Sequence, residues 1–139
     1  MYPFYLELEL FKPVCDYFKK KGYKVRREIK IGFHRADLVA FKNDEVLAVE
    51  LKLRDWKKAI IQTKNYQLGS DYVYIAVPLL KSYNILRKAE HIFKKEGIGL
   101  LVVNEKNSNV SVIIKPKQST KKIGGNIIIK DKTKKKFFY

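Results

Sequence analysis

A single cysteine and the lack of a long apolar run limit what this chain of 139 residues can be. Cys15 cannot form an internal disulfide, and neither histidine lies at a zinc-finger spacing from it, so we expect a buried core thiol. The longest apolar run, residues 72 to 80, is shorter than the roughly 20 residues of a spanning helix. The N-terminus carries Glu7 and Glu9 where a secretory signal would be basic and then apolar. We therefore expect a soluble cytoplasmic protein without a membrane partner.

Acidic residues are also scarce. Fourteen Asp and Glu stand against 30 Lys and Arg, which leaves a formal net charge of +16. Such an excess favours a polyanionic partner, and DNA is the first candidate, with RNA not excluded. No glycine-rich phosphate loop is present, so ATP hydrolysis is not expected. The length and the hydrophobic share of 46% indicate one globular domain.

The positive charge extends into a C-terminal tail. Residues 116 to 139 hold eight lysines against one aspartate, a net +7, and residues 1 to 115 carry the remaining +9. We expect residues 1 to 115 to form the domain. The tail is either a solubilising end or an arm that follows phosphates. It is either partly flexible or, through residues 127 to 129, an added edge strand.

Hydrophobic periodicity predicts the order of helices and strands along the body. Apolar positions three and four residues apart indicate a first helix at residues 4 to 20, bent or broken at Pro13. A helix at 56 to 68, with Asp55 as its N-cap, and one at 82 to 95 follow the same logic. This order predicts an α/β protein with a mixed central sheet flanked by helices. Strands are predicted at residues 23 to 31, 36 to 41, 46 to 53, 71 to 77, 98 to 103 and 110 to 114.

Charged residues interrupt two of the apolar strands. If the second hairpin turns on Asn43 and Asp44, facing residues have numbers that sum to 87, which places Asp37 opposite Glu50. Facing Cβ atoms lie about 4.5–5.5 Å apart, so the two carboxylates would repel each other. Lys52 lies two residues beyond Glu50 and so shares its face.

Converging carboxylates on apolar strands indicate a metal site. They offer hard oxygen ligands for a divalent ion, most naturally Mg²⁺ with Mn²⁺ as a substitute, and a neighbouring ammonium can hold an attacking water or stabilise developing negative charge. The structural alternative is an ordinary ion pair between Glu50 and Lys52, with Asp37 in a turn.

The pattern of Asp37, twelve intervening residues and Glu50-Leu-Lys52 resembles the PD-(D/E)xK nuclease superfamily over about residues 4 to 78. The resemblance implies a restriction-endonuclease-like αβββαβ core, here followed by a basic C-terminal extension. It implies a Mg²⁺-dependent endonuclease that hydrolyses phosphodiester bonds in DNA, in repair, recombination or restriction. Many members are homodimers, so a homodimer is an expected assembly. The sequence departs from the family in having Ala36 where many members have proline.

Two other functions remain open beside the nuclease. One is a non-catalytic module with the same fold that binds nucleic acid or assembles a complex. The other is a nuclease subunit that is active only inside a larger assembly.

A further glutamate matches a subtype of the superfamily. Glu7 precedes Leu10, Phe11 and Val14 by three, four and seven residues, which predicts a place on the buried face of the first helix. It resembles the additional metal-site glutamate of archaeal Holliday-junction resolvases. The alternative is a helix-start acid that favours the helix dipole. The expected metal ligands are therefore Asp37, Glu50 and Glu7.

The helix after the catalytic strand carries a second subtype match. Lys58, Gln62 and Tyr66 are spaced by four and are predicted to share one helix face. Gln62 with Tyr66 resembles the Gln-x-x-x-Tyr element of RecB-like nucleases, in which the glutamine supports the site; the alternative is a solvated surface. The expected catalytic residues are Asp37, Glu50, Lys52, Glu7 and Gln62. The expected nucleic-acid contacts are His34, Arg35, Lys58, Tyr66, Lys121, Lys122, Lys134, Lys135 and Lys136.

Overall fold

A six-stranded sheet with helices on both faces forms the body of the computed structural model, which describes residues 4–121. The predicted order of elements and the α/β class are confirmed. In chain order the elements are a 3₁₀ helix at Glu7–Leu10, α1 at Phe11–Lys20, β1 at Lys24–Ile31, β2 at His34–Lys42, β3 at Glu45–Leu51, α2 at Trp56–Tyr66, β4 at Tyr72–Pro78, α3 at Leu79–Glu96, β5 at Gly99–Val103 and β6 at Val110–Ile114.

The strands lie side by side in chain order, from β1 to β6. β1, β2 and β3 form an antiparallel meander, whereas β4 and β5 run parallel to β3, and β6 is antiparallel to β5. The helices α2 and α3 are the crossovers that parallel neighbours require. As a result β3, β4 and β5 end at one edge of the sheet, where β1 also ends and β2 begins. We call this the carboxyl edge.

Each face of the sheet has its own core. On one face α1 contributes Val14, Cys15 and Phe18, which pack against residues of β2, β3 and β5. On the other face Ala59 and Tyr66 of α2 pack with apolar residues of α3. The central strands are therefore buried on both sides, which explains their nearly continuous apolar sequence. Cys15 is 4% exposed, as predicted.

The first predicted helix is divided into two elements. The chain forms the 3₁₀ helix before α1 begins at Phe11, so the change lies ahead of Pro13 and not at it. Pro13 is the third residue of α1, within the first turn, where a residue without an N–H is tolerated. At the other end Gly22 has φ +90°, and the N–H groups of Gly22 and Tyr23 donate to Lys19 O and Phe18 O. This Schellman closure stops α1 at the predicted place.

Two other helix starts differ from the predictions. Asp55 occupies the N-cap of α2, but its backbone is left-handed (φ 52°, ψ 39°) and not in the extended region that a side-chain cap uses. α3 begins at Leu79, directly after Pro78 and three residues ahead of the predicted start. Pro78 is the last residue of β4, and the strand passes directly into α3 without an intervening loop.

The first residues of the predicted tail contact the domain. Lys117 N–H donates to Gly97 O at 3.0 Å, and Ser119 N–H donates to Asp71 O at 2.7 Å. The predicted edge strand at residues 127 to 129 lies outside the described residues. Within residues 4–121, no helix is long and apolar enough to cross a membrane.

Candidate functional site

The β2–β3 hairpin brings Asp37 and Glu50 together at the carboxyl edge. The predicted two-residue turn is confirmed, because Lys42 pairs with Glu45 and the register that sums to 87 holds to Leu38 and Val49. Asp37 and Glu50 occupy the next position along this register. Asp37 is half-buried, and Glu50 is 4% exposed. Two acidic side chains thus lie side by side at the end of an apolar hairpin.

Burial makes the ionised forms of both carboxyls costly. It is the main cause of the raised pKa of Asp37, which the Leu51 N–H, donating to Oδ2 at 2.8 Å, and the Lys52 charge partly offset. Burial and then the Asp37 charge raise the pKa of Glu50 to about 7. The hydrogen bond from Tyr66 and the charge of Lys52 act in the opposite direction. The pair therefore favours a proton or a cation between its oxygens.

Lys52 supplies positive charge to this pair. Its Nζ lies 3.6 Å from Glu50 Oε2, and its side chain is 16% exposed. The predicted shared face of Glu50 and Lys52 is confirmed by this contact. The Lys52 N–H donates to Ala76 O of β4 at 2.9 Å, which fixes the backbone just beyond the last residue of β3. The sheet thus fixes the backbone of Lys52 next to Glu50, and its side chain is partly exposed to solvent.

Tyr66 supports the site from α2. It cannot contact nucleic acid, which corrects its predicted role. Its side chain is fully buried. The hydroxyl lies 2.9 Å from Glu50 Oε1 and 2.7 Å from Arg35 O, and it donates its one proton to one acceptor at a time. Burial and the Glu50 charge raise the pKa of Tyr66, so the phenol keeps that proton. Tyr66 is a positioning residue for Glu50.

The three residues spaced by four on α2 do not share one environment. Lys58 is exposed, Gln62 is half-buried and Tyr66 is buried. The reason is that a step of four residues advances about 40° around a helix, so two steps turn Lys58 well away from Tyr66. Gln62 Oε1 is buried without a hydrogen-bond partner among the described residues. This amide lies one turn from Tyr66 and retains an unused acceptor.

Glu7 is not on a buried helix face, because the chain there is a 3₁₀ helix and the side chain is exposed. It is nevertheless near the site. Glu7 Oε2 accepts the Leu53 N–H at 3.4 Å, and the charge of Glu7 contributes to the raised pKa of Asp37. Glu7 and Asp37 both line a cleft of about 140 Å³, together with Leu51 and Arg27.

The donor set is smaller than the three carboxylates predicted. Within residues 4–121, no group of three or more His, Cys, Asp or Glu side chains lies close enough together to hold a metal ion. Two adjacent carboxylates still fit Mg²⁺, which retains several waters and commonly binds through one or two carboxylates. The adjacency of the two carboxyls, each with a pKa that burial raises, is the observation that favours a cation here.

Backbone strain at the site is a feature that sequence reasoning missed. Glu28 of β1 has φ 52°, and the ladder of β1 with β2 is interrupted where Glu28 faces Asp37, between the pairs Arg27–Leu38 and Ile29–Ala36. A non-glycine residue in this region costs about 1–3 kcal/mol and is found most often at functional sites. No side-chain pattern in the sequence signals it.

The predicted nucleic-acid contacts are distributed over the surface. His34 and Arg35 are exposed at the start of β2, and Arg35 Nη1 donates to Glu28 O at 3.1 Å. Lys58 and Lys121 are also exposed. Lys122, Lys134, Lys135 and Lys136 lie outside the described residues.

Comparison with known proteins adds information on the fold only. No protein-family model matches the chain, and no curated protein matches it. A protein of unknown function from Silicibacter pomeroyi has a similar structure, with a TM-score of 0.69 and 16% sequence identity. The similarity covers 90% of this chain and 81% of that protein. The architecture therefore occurs in a distant protein.

Proposed function

We propose that this protein is a metal-dependent nuclease with a restriction-endonuclease-like αβββαβ core, and that it hydrolyses phosphodiester bonds in DNA. The observation that carries the proposal is the adjacent pair of half-buried Asp37 and buried Glu50, with the Lys52 ammonium 3.6 Å from Glu50. The net charge of +16 supports a polyanionic substrate.

Each residue of the site has a separate task in hydrolysis, which forms a bond from a water oxygen to phosphorus and breaks the bond to the leaving sugar oxygen. Asp37 and Glu50 would hold Mg²⁺, which when bound supplies positive charge to the phosphoryl oxygens. Leu51 N–H and Tyr66 orient the two carboxylates. Lys52 either orients the attacking water and accepts its proton as the neutral amine, or as an ammonium stabilises negative charge on the phosphate.

A non-catalytic binding module explains the site less well. Two like charges buried side by side destabilise a fold unless a proton or cation intervenes, and binding of nucleic acid alone needs neither. A basic surface would serve such a module equally well without Asp37 and Glu50.

A cleavage panel tests the proposal. The purified chain is incubated with labelled linear, flapped, four-way and single-stranded DNA and with RNA, in Mg²⁺, Mn²⁺ or EDTA. We expect metal-dependent cleavage that Asp37→Asn and Glu50→Gln each abolish while DNA binding in EDTA persists. Glu90→Gln, which changes a partly exposed acid paired with Lys94 on α3, is the matched control and should cleave normally. Cleavage at the wild-type rate by both site variants would rule out the proposed site, and cleavage of RNA alone would change the substrate.

A further inference from the structure

The hairpin between β1 and β2 presents an unusual aromatic side chain. The turn consists of Gly32 and Phe33, because Ile31 pairs with His34. Gly32 has φ +64° at the first central position, the arrangement that type II′ turns use. Phe33 is 88% exposed, the highest value among the large apolar residues that are described.

This turn is anchored to α2. Asn65 Nδ2 of α2 donates to Ile31 O at 2.7 Å. A Cβ at Gly32 would lie 2.6 Å from Asn65 Oδ1, so turn and helix are in close contact. On the β2 side the Tyr66 hydroxyl lies 2.7 Å from Arg35 O. An exposed ring on a fixed turn loses little conformational freedom when it contacts a flat partner.

The surroundings of the ring are basic and close to the proposed site. Lys30, His34 and Arg35 are exposed around it, and residues 29 to 36 contain no acid. The turn lies at the carboxyl edge, where β2 begins. At about 3.3 Å per residue along β2, Phe33 stands about 13 Å from Asp37, or about four nucleotides of rise along one strand.

We propose that Phe33 stacks on an unpaired base of the nucleic acid, while Lys30 and Arg35 contact the neighbouring phosphates. The inference rests on the proposed function and assigns its substrate class, which is DNA with unpaired bases next to the cleavage point, such as a flap, a branch or a single strand. A base inside a duplex has both faces covered by its neighbours, whereas an unpaired base offers a free face to an aromatic ring.

Binding in EDTA tests the proposal without relying on cleavage. The probes are a fully paired duplex and the same duplex with a single-stranded flap. Phe33→Ala should weaken binding to the flapped probe about 10-fold, which corresponds to about 1.4 kcal/mol, and should change binding to the duplex less than about twofold. Phe33→Trp should bind the flap as the wild type does. Ile113→Ala removes a partly exposed apolar side chain from β6, at the far end of the sheet, and is the matched control.

Three results would overturn the proposal. The first is an unchanged affinity of Phe33→Ala for the flapped probe, and the second is an equal loss of affinity on both probes. The third is a change of Phe33→Ala from dimer to monomer in sedimentation, which would assign the turn to self-association. The two proposals fail separately. If Asp37→Asn abolishes cleavage while Phe33→Ala binds the flap normally, only the stacking role is wrong. If Phe33→Ala loses flap binding while Asp37→Asn cleaves normally, only the nuclease site is wrong.

Discussion

Glu50 is a buried acid whose burial is only partly compensated. Tyr66 and Lys52 both stabilise its charge, yet burial and Asp37 outweigh them, and its pKa is raised to about 7. At neutral pH the carboxyl is therefore divided between its two forms until a cation enters. Lys52 alone does not neutralise two carboxylates, so the site keeps a net negative charge when both are ionised.

We predict that Glu50→Gln changes the pH dependence of stability. The pKa of Glu50 in the folded chain exceeds its ordinary value of 4.5, so the folded state binds more protons between these values and wild-type stability is lost as the pH rises through about 7. Without metal, Glu50→Gln should be up to about 3 kcal/mol more stable relative to wild type at pH 8 than at pH 4.5. Urea unfolding in EDTA at both pH values measures this.

Thermal unfolding of the same two proteins with and without Mg²⁺ is the control. Mg²⁺ should raise the melting temperature of the wild type and leave that of Glu50→Gln nearly unchanged, because binding to the folded state alone stabilises it. Equal stability profiles for the two proteins would contradict the coupling between Glu50 and its neighbours.

We predict that substitution of Lys52 lowers the cleavage rate without weakening the binding of Mg²⁺ or DNA. An ammonium cannot bind a metal ion, so Lys52→Ala should keep Mg²⁺ and DNA affinity nearly intact while the cleavage rate falls about 10²-fold or more. Lys52→Arg restores the charge but not proton transfer, since a guanidinium stays protonated. Rescue by arginine would indicate electrostatic stabilisation. Normal cleavage by Lys52→Ala would make the lysine a counter-ion for Glu50 and nothing more.

At the scale of elements, α2 is the support of the site. It is the crossover between β3 and β4, and it carries Tyr66 beneath Glu50 and Asn65 beneath the β1–β2 turn. A helix that carries both contacts fixes the carboxylate pair relative to the hairpin of Phe33. The packing of α2, and not the conformation of a loop, therefore sets the distance between the site and the turn.

Tyr66→Phe tests this support. The change removes one hydroxyl from a buried ring, so the fold and DNA affinity should persist, and cleavage should fall about 10-fold or more because Glu50 is no longer oriented. Loss of the donor raises the pKa of Glu50 further, so the acidic limb of the pH–rate profile should move to higher pH. An unchanged profile with normal cleavage would leave Tyr66 a core residue only. Tyr83→Phe removes a hydroxyl from an exposed ring and is the control.

At the scale of the whole molecule, the formal net charge is +16, of which residues 116 to 139 carry +7. The structure also shows that the body continues past residue 115, because Lys117 and Ser119 hydrogen bond to Gly97 and Asp71. A truncation that tests the tail should therefore keep these hydrogen bonds and end at Lys121.

Removal of residues 122 to 139 deletes six lysines and one aspartate. If these lysines follow phosphates, the slope of log affinity against log salt on duplex DNA should flatten by about 0.9 for each phosphate that the shortened chain no longer neutralises, with the melting temperature unchanged. Titrations over a range of salt measure the slope. An unchanged slope would make the tail a solubilising end.

The sequence by itself determined the order of elements, the hairpin register and the shared face of Glu50 and Lys52. These features follow from local rules: periodicities of two and 3.6, turn residues such as Asn43 and Asp44, and a glycine after a helix. β6 was predicted with the bounds that the structure has, because both of its ends are marked by polar or proline residues. The same rules failed at the first helix, since they do not distinguish a 3₁₀ turn from an α-helix.

Only the tertiary structure decided which side chains meet. Tyr66 and Lys58 look alike as polar positions of one helix, but the packing of α2 on the sheet buries the first against Glu50 and leaves the second in solvent. The exposure of Glu7, the strained backbone of Glu28 opposite Asp37 and the rise in the pKa of Glu50 likewise depend on neighbours that are distant in the chain. Burial and electrostatic coupling are properties of the packed molecule, because a side chain's surroundings are set by segments that local sequence does not specify.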